Sequence, residues 1–316
     1  MNLGEKLKLY RERKNMTQKE VAEYLDLEPA AISKYESGMR EPNIESLKRL
    51  SVIFEVSLDE LLKDEKELDI SKLNILDILR EQKEMKLKGN LYHNTQIAFT
   101  YNSNHIEGSR LTEEQTRYIF ETKSMLVEEN TIVKVDDIIE TTNHFKLIDY
   151  MIDVAEEPLT EELVKAFHRI LKTGTSDSQK EWFNVGDYKV AVNYAGSMKT
   201  VAPKYVESHM KKLLEWYNSI EQIDAKDIIE FHARFEKIHP FQDGNGRIGR
   251  LIMVKECLKN NIIPIIILEK DRLYYYRGLK EYQTNGEKGF LIDTCLNAQE
   301  QYENMIRNYL DFRGVR

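Results

Sequence analysis

His239-Pro240-Phe241-Gln242-Asp243-Gly244-Asn245-Gly246-Arg247-Ile248-Gly249-Arg250 places an imidazole, a carboxylate, a Gly-rich turn and two guanidiniums within twelve consecutive residues. That combination suits phosphate handling. Upstream, Ile228, Ile229, Phe231, Phe235 and Ile238 recur at helical spacing, so Asp227 to Ile238 reads as a helix. Pro240 must end it, because the residue before a proline is pushed out of the helical region, and His239 therefore sits at a helix end facing a loop. The apolar run Ile248, Leu251, Ile252 and Val254 marks a second helix. Its N-terminus offers free N–H groups and a partial positive charge to an anion, and Gly244-Asn245-Gly246 lets the backbone curl into a nest. Arg247 and Arg250, three apart, project on one side and can each grip phosphate oxygens in a fork. Any one of these residues is compatible with a purely structural role; the whole string is not a packing requirement.

The string resembles the signature of Fic-domain proteins, His-Pro-Phe-x-(Asp/Glu)-Gly-Asn-(Gly/Lys)-Arg-x-x-Arg, at every specified position. The resemblance implies a protein adenylyltransferase, a nucleotidyltransferase that moves the AMP moiety of ATP onto a Ser, Thr or Tyr hydroxyl of a target protein or of itself. It implies that His239 accepts the proton of the attacking hydroxyl, a task suited to an imidazole whose ordinary pKa is roughly 6.5. Asp243 would hold Mg²⁺ on the phosphates. Asn245 and the backbone around Gly244 and Gly246 would bind the α-phosphate, with Arg247 and Arg250 on the β- and γ-phosphates. Family members with Lys after the Asn include ones that phosphorylate; Gly246 favours nucleotidyl transfer.

Ser103-Asn104-His105-Ile106-Glu107-Gly108 follows a helical run through Ile97, Ala98 and Tyr101, with Gly108 placed to end the helix. A carboxylate at a helix C-terminus opposes the dipole, so Glu107 is expected to have a partner elsewhere. Ser103, Glu107 and Gly108 resemble the family's inhibitory motif, (Ser/Thr)-x-x-x-Glu-(Gly/Asn). The resemblance implies that Glu107 pairs with Arg250 and keeps it from the γ-phosphate. In some relatives the same glutamate helps water remove AMP from the protein, and both roles stay open here.

Residues 185–203 alternate polar and apolar types with Gly and Pro punctuation, predicting a β-hairpin. The segment resembles the family's target-docking flap, whose edge would order a protein substrate by β-addition. Arg272 to Leu279 resembles the wall of the nucleoside pocket, making Tyr275 and Tyr276 candidates for adenine or ribose contact. Elsewhere, periodicity reads Leu163–Leu171, His209–Tyr217, Ile262–Leu268 and Ala298–Leu310 as buried helices or helix ends. The expected fold is all-α with one small hairpin.

At the N-terminus, Leu3, Leu7, Leu9 and Tyr10 open an amphipathic helix; Thr17 with Glu20 forms a capping box; and helices start at Pro29 and after Asn43. Thr-Gln-x-x-Val-Ala followed by Ile-Ser-x-Tyr-Glu-x-Gly and Arg-x-Pro is similar to the helix-turn-helix domain of phage-repressor type over residues 5 to 62. That resemblance puts Gln18 on DNA phosphate and the helix from Pro29 to Glu36 in the major groove, with Lys34 its clearest polar contact. Glu28, Pro29 and Ala30 occupy positions that usually present hydrogen-bonding side chains, so methyl contacts to thymine dominate direct readout. The module either binds operator DNA, weakly or specifically, or serves dimerisation and autoinhibition.

The expected boundaries are a helix-turn-helix domain at 1–64, a connector helix at 65–90 entered through the charged stretch Lys63–Asp69, and a Fic domain at 91–316 with the inhibitory helix near 92–108. Forty-six Lys and Arg against 54 Asp and Glu give the 316-residue chain a net charge of −8, which implies no broad basic surface for nucleic acid or acidic lipid. Cys257 and Cys295 lack metal spacing and suit a reducing compartment. Met1 to Lys6 has no signal-peptide core and no uncharged run is long enough to span a bilayer, so a cytoplasmic protein is expected. The alternative function is a DNA-binding transcriptional regulator whose Fic unit acts mainly as a nucleotide sensor.

Overall fold

Small polar residues open about half of the described helices. Thr17, Asn43, Asn74, Asn90, Thr112, Thr160 and Asp224 each accept a backbone N–H of the helix they precede, satisfying donors that no helix can pair internally. A computed structural model of the chain describes residues 3–62, 70–125, 132–196 and 198–312. The described residues form fifteen α-helices and one two-stranded antiparallel ribbon, the all-α fold expected. The chain divides into two compact units, the smaller ending at Asp69 and the larger beginning at Ile70. The charged connector at Lys63–Asp69 lies outside the described residues.

The smaller unit contains α1 (Leu3–Arg13), α2 (Gln18–Leu25), α3 (Pro29–Glu36), α4 (Ile44–Phe54) and α5 (Leu58–Leu62). Leu7, Val21, Leu25, Ile32, Leu50 and Phe54 interlock at its centre. The capping box at Thr17 and Glu20 is present. Gly4 lets α1 approach the end of α3, since a Cβ there would stand 2.6 Å from the Tyr35 carbonyl oxygen. Glu36 ties three helices together: Arg11 donates to it at 2.6 and 3.1 Å, and Gln18 donates from its amide at 2.8 Å. Gln18, half-buried at the start of α2, is thus oriented by the charged acceptor Glu36. Lys34 is exposed on α3.

In the larger unit, α6 (Ile75–Met85), α7 (Leu91–Ile106), α8 (Glu113–Thr122), α9 (Val135–Asp153) and α10 (Glu161–Lys172) precede the ribbon; α11 (Pro203–Asn218), α12 (Ala225–Ile238), α13 (Asn245–Lys259), α14 (Arg272–Asn285) and α15 (Gly289–Phe312) follow it. The helix expected within the connector is α6, and it packs on α7 and α9. At the centre lies α13, buried almost all round from Arg247 to Leu258 and flanked by α12, α7, α9 and α10. A helix with apolar residues on every face belongs at such a position.

Two expectations need correction. Ile262–Leu268 is extended, not helical: α13 ends at Lys259, Asn261 takes φ 52, and Pro264 with a β-branched run disfavours resumption of the helix, so Ile265, Ile266 and Ile267 are buried as an extended segment. The hairpin is also shorter than 185–203. It pairs only β1 (Tyr194–Ala195) with β2 (Met198–Lys199), in the register Tyr194 opposite Lys199, because the preceding residues spend their polar groups on the 239–245 loop instead of on a ladder.

Candidate functional site

His239 caps α12 in the left-handed conformation (φ 54, ψ 60), which turns the chain sharply into Pro240. Its side chain is largely enclosed, with Nδ1 3.3 Å from the Glu236 carbonyl oxygen and 3.6 Å from the Glu236 carboxylate. Glu236 is a buried carboxylate one turn back on α12. Burial alone would raise it; the interaction with His239 and the nearby Arg250 charge outweigh this and hold it below the ordinary value.

The loop is shaped from within. Asn245 accepts from the Phe241 N–H at 2.8 Å and donates to the Phe241 carbonyl at 2.9 Å. The oxygen and one N–H of its buried amide are therefore spent on the loop, so this side chain sets the turn. Gly244 adopts φ 81, and no side chain among the described residues caps α13, so its first N–H groups remain an anion cradle. His168 stacks flat on Phe241 at 4.0 Å and accepts from the Gly186 N–H at 2.9 Å. Burial pushes this imidazole down to about 3, so it is neutral and its Nε2–H donates to the Asp243 carbonyl at 3.2 Å.

Both arginines already have carboxylate partners. Arg247, from the first turn of α13, pairs with Glu140 of α9 and, at 3.2 Å, with Asp243. Lys172, at the end of α10, reaches the same Asp243 oxygen at 2.7 Å and also contacts Glu140. Burial would raise Asp243, but Arg247 and Lys172 hold it well below the usual carboxylate range. The Asp243 side chain is still 49% exposed. One oxygen is held by cations while the carboxylate faces solvent, a fit for Mg²⁺, which takes one or two carboxylates and completes its shell with water and substrate phosphates.

Arg250 is the largest fully buried side chain among the described residues, 1% exposed. It donates to Ser103 Oγ at 3.1 Å, to the Ser103 carbonyl at 2.9 Å and to Glu107 at 2.7 Å. Burial opposes its charge; Glu107 more than compensates and raises it above the ordinary arginine value. The partner that the Glu107 position demands is thus found at α13. A Cβ on Gly246 would stand 2.1 Å from Glu107 Oε1, so the carboxylate lies against the first turn of α13, and any side chain at 246 would displace it.

Tyr275 departs from expectation. It is fully buried, with its hydroxyl 2.7 Å from His232 Nε2 and 3.5 Å from Arg250. Its ring faces the interior, so it supports Arg250 and presents nothing to a nucleoside. Tyr276 is 42% exposed and donates to the Ile106 carbonyl at 3.0 Å, and burial pushes its phenol up to about 12. Helix geometry separates these neighbours: adjacent positions on α14 point about 100° apart.

Sequence reading missed Glu140, Lys172, Glu236 and Lys189. Lys189 anchors the ribbon to the loop: its Nζ donates to Asn193 and Thr200, each at 2.6 Å, and its backbone N–H donates to the Pro240 carbonyl at 2.9 Å. Asn193 adds a bond to the Phe241 carbonyl at 2.8 Å. None of these residues stands in a local motif, and only an apolar surrounding with an unexplained charge could have flagged Lys172 and Lys189.

Residues 158–257 match the Fic/DOC family and residues 7–61 the helix-turn-helix family. The chain is 28% identical over 190 residues to a protein adenylyltransferase Fic of Nematostella vectensis, covering 57% of this chain and 42% of the relative. It is 26% identical over 192 residues to protein adenylyltransferase fic-1 of Caenorhabditis elegans, covering 58% and 36%. The match therefore spans less than half the length of these relatives. Among solved structures, a Fic domain containing signaling protein from Bacteroides thetaiotaomicron superposes with TM-score 0.54 at 23% identity, covering 75% of this chain and 92% of that one. Fic-1 from C. elegans superposes with TM-score 0.56 at 18% identity, covering 97% and 88%. These likenesses show the fold.

Proposed function

Taking the chain as one that carries a helix-turn-helix domain at 7–61 and a Fic domain at 158–257, we propose that it transfers AMP from ATP to a protein hydroxyl, restrained by Glu107. The observation that carries the reading is His239 held at the mouth of an uncapped helix N-terminus with Asp243, Arg247 and Arg250 around it. His239, oriented through Nδ1 by Glu236, takes the proton of the target hydroxyl as its oxygen forms a bond to the α-phosphorus and the bond to pyrophosphate breaks. First-turn N–H groups of α13 stabilise the charge gathering on the α-phosphate. Asp243 would hold Mg²⁺, which neutralises phosphate charge when bound. Arg247 and Arg250 bind the departing phosphates, and Arg250 can do so only after Glu107 leaves it.

The flap root, fixed to the loop through Lys189 and Asn193, would place a docked target segment beside His239. Tyr276 is the remaining aromatic candidate for the nucleoside. The smaller unit would carry α3 and its Lys34 to DNA, either at the protein's own operator or as a means of locating the enzyme. Among the described residues no helix is long and apolar enough to cross a membrane.

The test is incubation of the full chain with Mg²⁺ and ATP labelled at either the α- or the γ-phosphate. AMP transfer leaves α-label on protein and no γ-label, and His239→Ala removes it. Retained γ-label would instead indicate phosphorylation, and label that survives His239→Ala would overturn the base assignment.

A further inference from the structure

A groove of about 620 Å³ lies between α11, α12 and α14, bordered by Val201 where the chain leaves the flap. Ile238, the last residue of α12 before His239, and Leu213 of α11 supply apolar lining. The charged residues lining it are all cationic: among the described residues no Asp or Glu lines it, in a chain whose net charge is −8. Arg234 and Lys288 are both paired with Glu230 and contribute little free charge. Lys212 and Lys237 differ. Both are exposed, they come from two helices, and neither forms an ion pair among the described residues. An apolar lining with two unneutralised ammonium groups at its rim is complementary to a polypeptide that carries carboxylates beside apolar side chains.

We propose that this groove docks an acidic segment of the protein substrate, next to the hydroxyl that receives AMP. The proposal rests on the transferase reading for its consequence, though not for the binding itself. A target strand ordered along the flap has its flanking residues carried toward the groove by the placement of Val201 and Ile238. Lys212 and Lys237 then select Glu or Asp in those flanks and raise the encounter rate. A nucleic acid fits less well, because the lining is apolar and its two rings, His209 of α11 and Tyr282 of α14 beside Arg234, come from different helices and form no continuous row of stacking faces.

The experiment follows the anisotropy of labelled peptides added to the full chain: one with a Tyr flanked by Glu and Asp, and one of equal length flanked by Lys. The acidic peptide should bind more tightly than the basic one, and Lys212→Glu with Lys237→Glu should weaken it at least about tenfold, with an effect that shrinks as salt rises. Lys212→Gln with Lys237→Gln should give a smaller loss, and thermal melts of both variants check folding. Equal binding of the two peptides, or an acidic peptide indifferent to the lysine changes, overturns the proposal. So does a single-stranded oligonucleotide that loses affinity in the lysine variants while the acidic peptide does not bind. Self-labelling of the Glu107→Gly chain from α-labelled ATP, run in parallel, separates the two ideas: its absence with acidic-peptide binding intact defeats the transferase reading and leaves the groove standing.

Discussion

Glu107 combines three facts in one side chain: it ends α7, it bonds Arg250 at 2.7 Å, and it fills the space above Gly246. Removing it frees a guanidinium that is 1% exposed and must find another anion, since an unpaired buried charge is costly. A bound γ-phosphate satisfies that need. Glu107→Gly should therefore raise self-labelling from ATP by roughly ten- to a hundredfold, the equivalent of the 1.5–3 kcal/mol of a charge-assisted hydrogen bond. Equal labelling of wild type and Glu107→Gly at saturating ATP and Mg²⁺ would falsify the restraint. His239 has a different job. His239→Ala should cut transfer by about 10² to 10⁴ while ATP affinity, measured by calorimetry, stays near that of the wild type. Parallel loss of affinity and activity would make His239 a binding residue.

At the scale of elements, the loop from His239 to Gly244 is a junction of two helix ends, α12 closing at His239 and α13 opening at Gly244. Its turn is fixed by Asn245 closing on Phe241, by His168 stacked on the same ring, and by the flap root bonded to Pro240 and Phe241. In the smaller unit the corresponding joint is Glu36, which gathers α1, α2 and α3 and so fixes where Lys34 is displayed. If α3 meets DNA, Lys34→Glu in the full chain should weaken binding to the fragment upstream of its own gene, and the loss should be largest at low salt. Gel shifts across a salt series decide it; unchanged binding removes α3 from the interface. Thr17→Ala deletes half of the capping box on α2 and should cost about 1 kcal/mol in urea unfolding.

Across the larger unit, burial keeps several histidines neutral. His144 and His168 are pushed down to about 3 and His232 to about 4, in each case first by loss of water; nearby Arg247 and Arg250 for His144, Lys172 for His168 and Arg250 for His232 push the same way. Unfolded, each takes a proton near pH 6.5. Between those values the unfolded chain binds more protons than the folded one, so stability is fully present above about pH 6.5 and falls as pH drops toward 3 to 4. Each histidine costs about 1.4 kcal/mol per pH unit in that window. Urea unfolding at pH 7.5 and 5.5 should thus differ by several kcal/mol, and His144→Gln should flatten the dependence by about a third of the histidine share. A slope unaffected by His144→Gln would show that His144 carries a proton in the folded protein.

Local chemistry was legible in the sequence wherever a residue acts on its own neighbours. Thr17, Asn43 and Pro240 set helix ends through backbone geometry that no distant contact changes, and the run from His239 to Arg250 displays its chemistry because a helix end and the next helix start lie side by side in the chain. The Glu107 position announced a missing partner, since a carboxylate at a helix C-terminus opposes the dipole. What the tertiary structure alone decided is which groups meet across long sequence separations. Lys172 and Glu140 reach Asp243 and Arg247 from two other helices, so four charged groups share one enclosure. The inward side of α14 buries Tyr275 and leaves Tyr276 at the surface, and the extended Ile262–Leu268 segment follows from Pro264 together with its buried place beyond α13. These outcomes depend on packing and on charge desolvation, which are sums over neighbours brought close by the fold, whereas caps, helix stops and the anion cradle depend on a few adjacent backbone units.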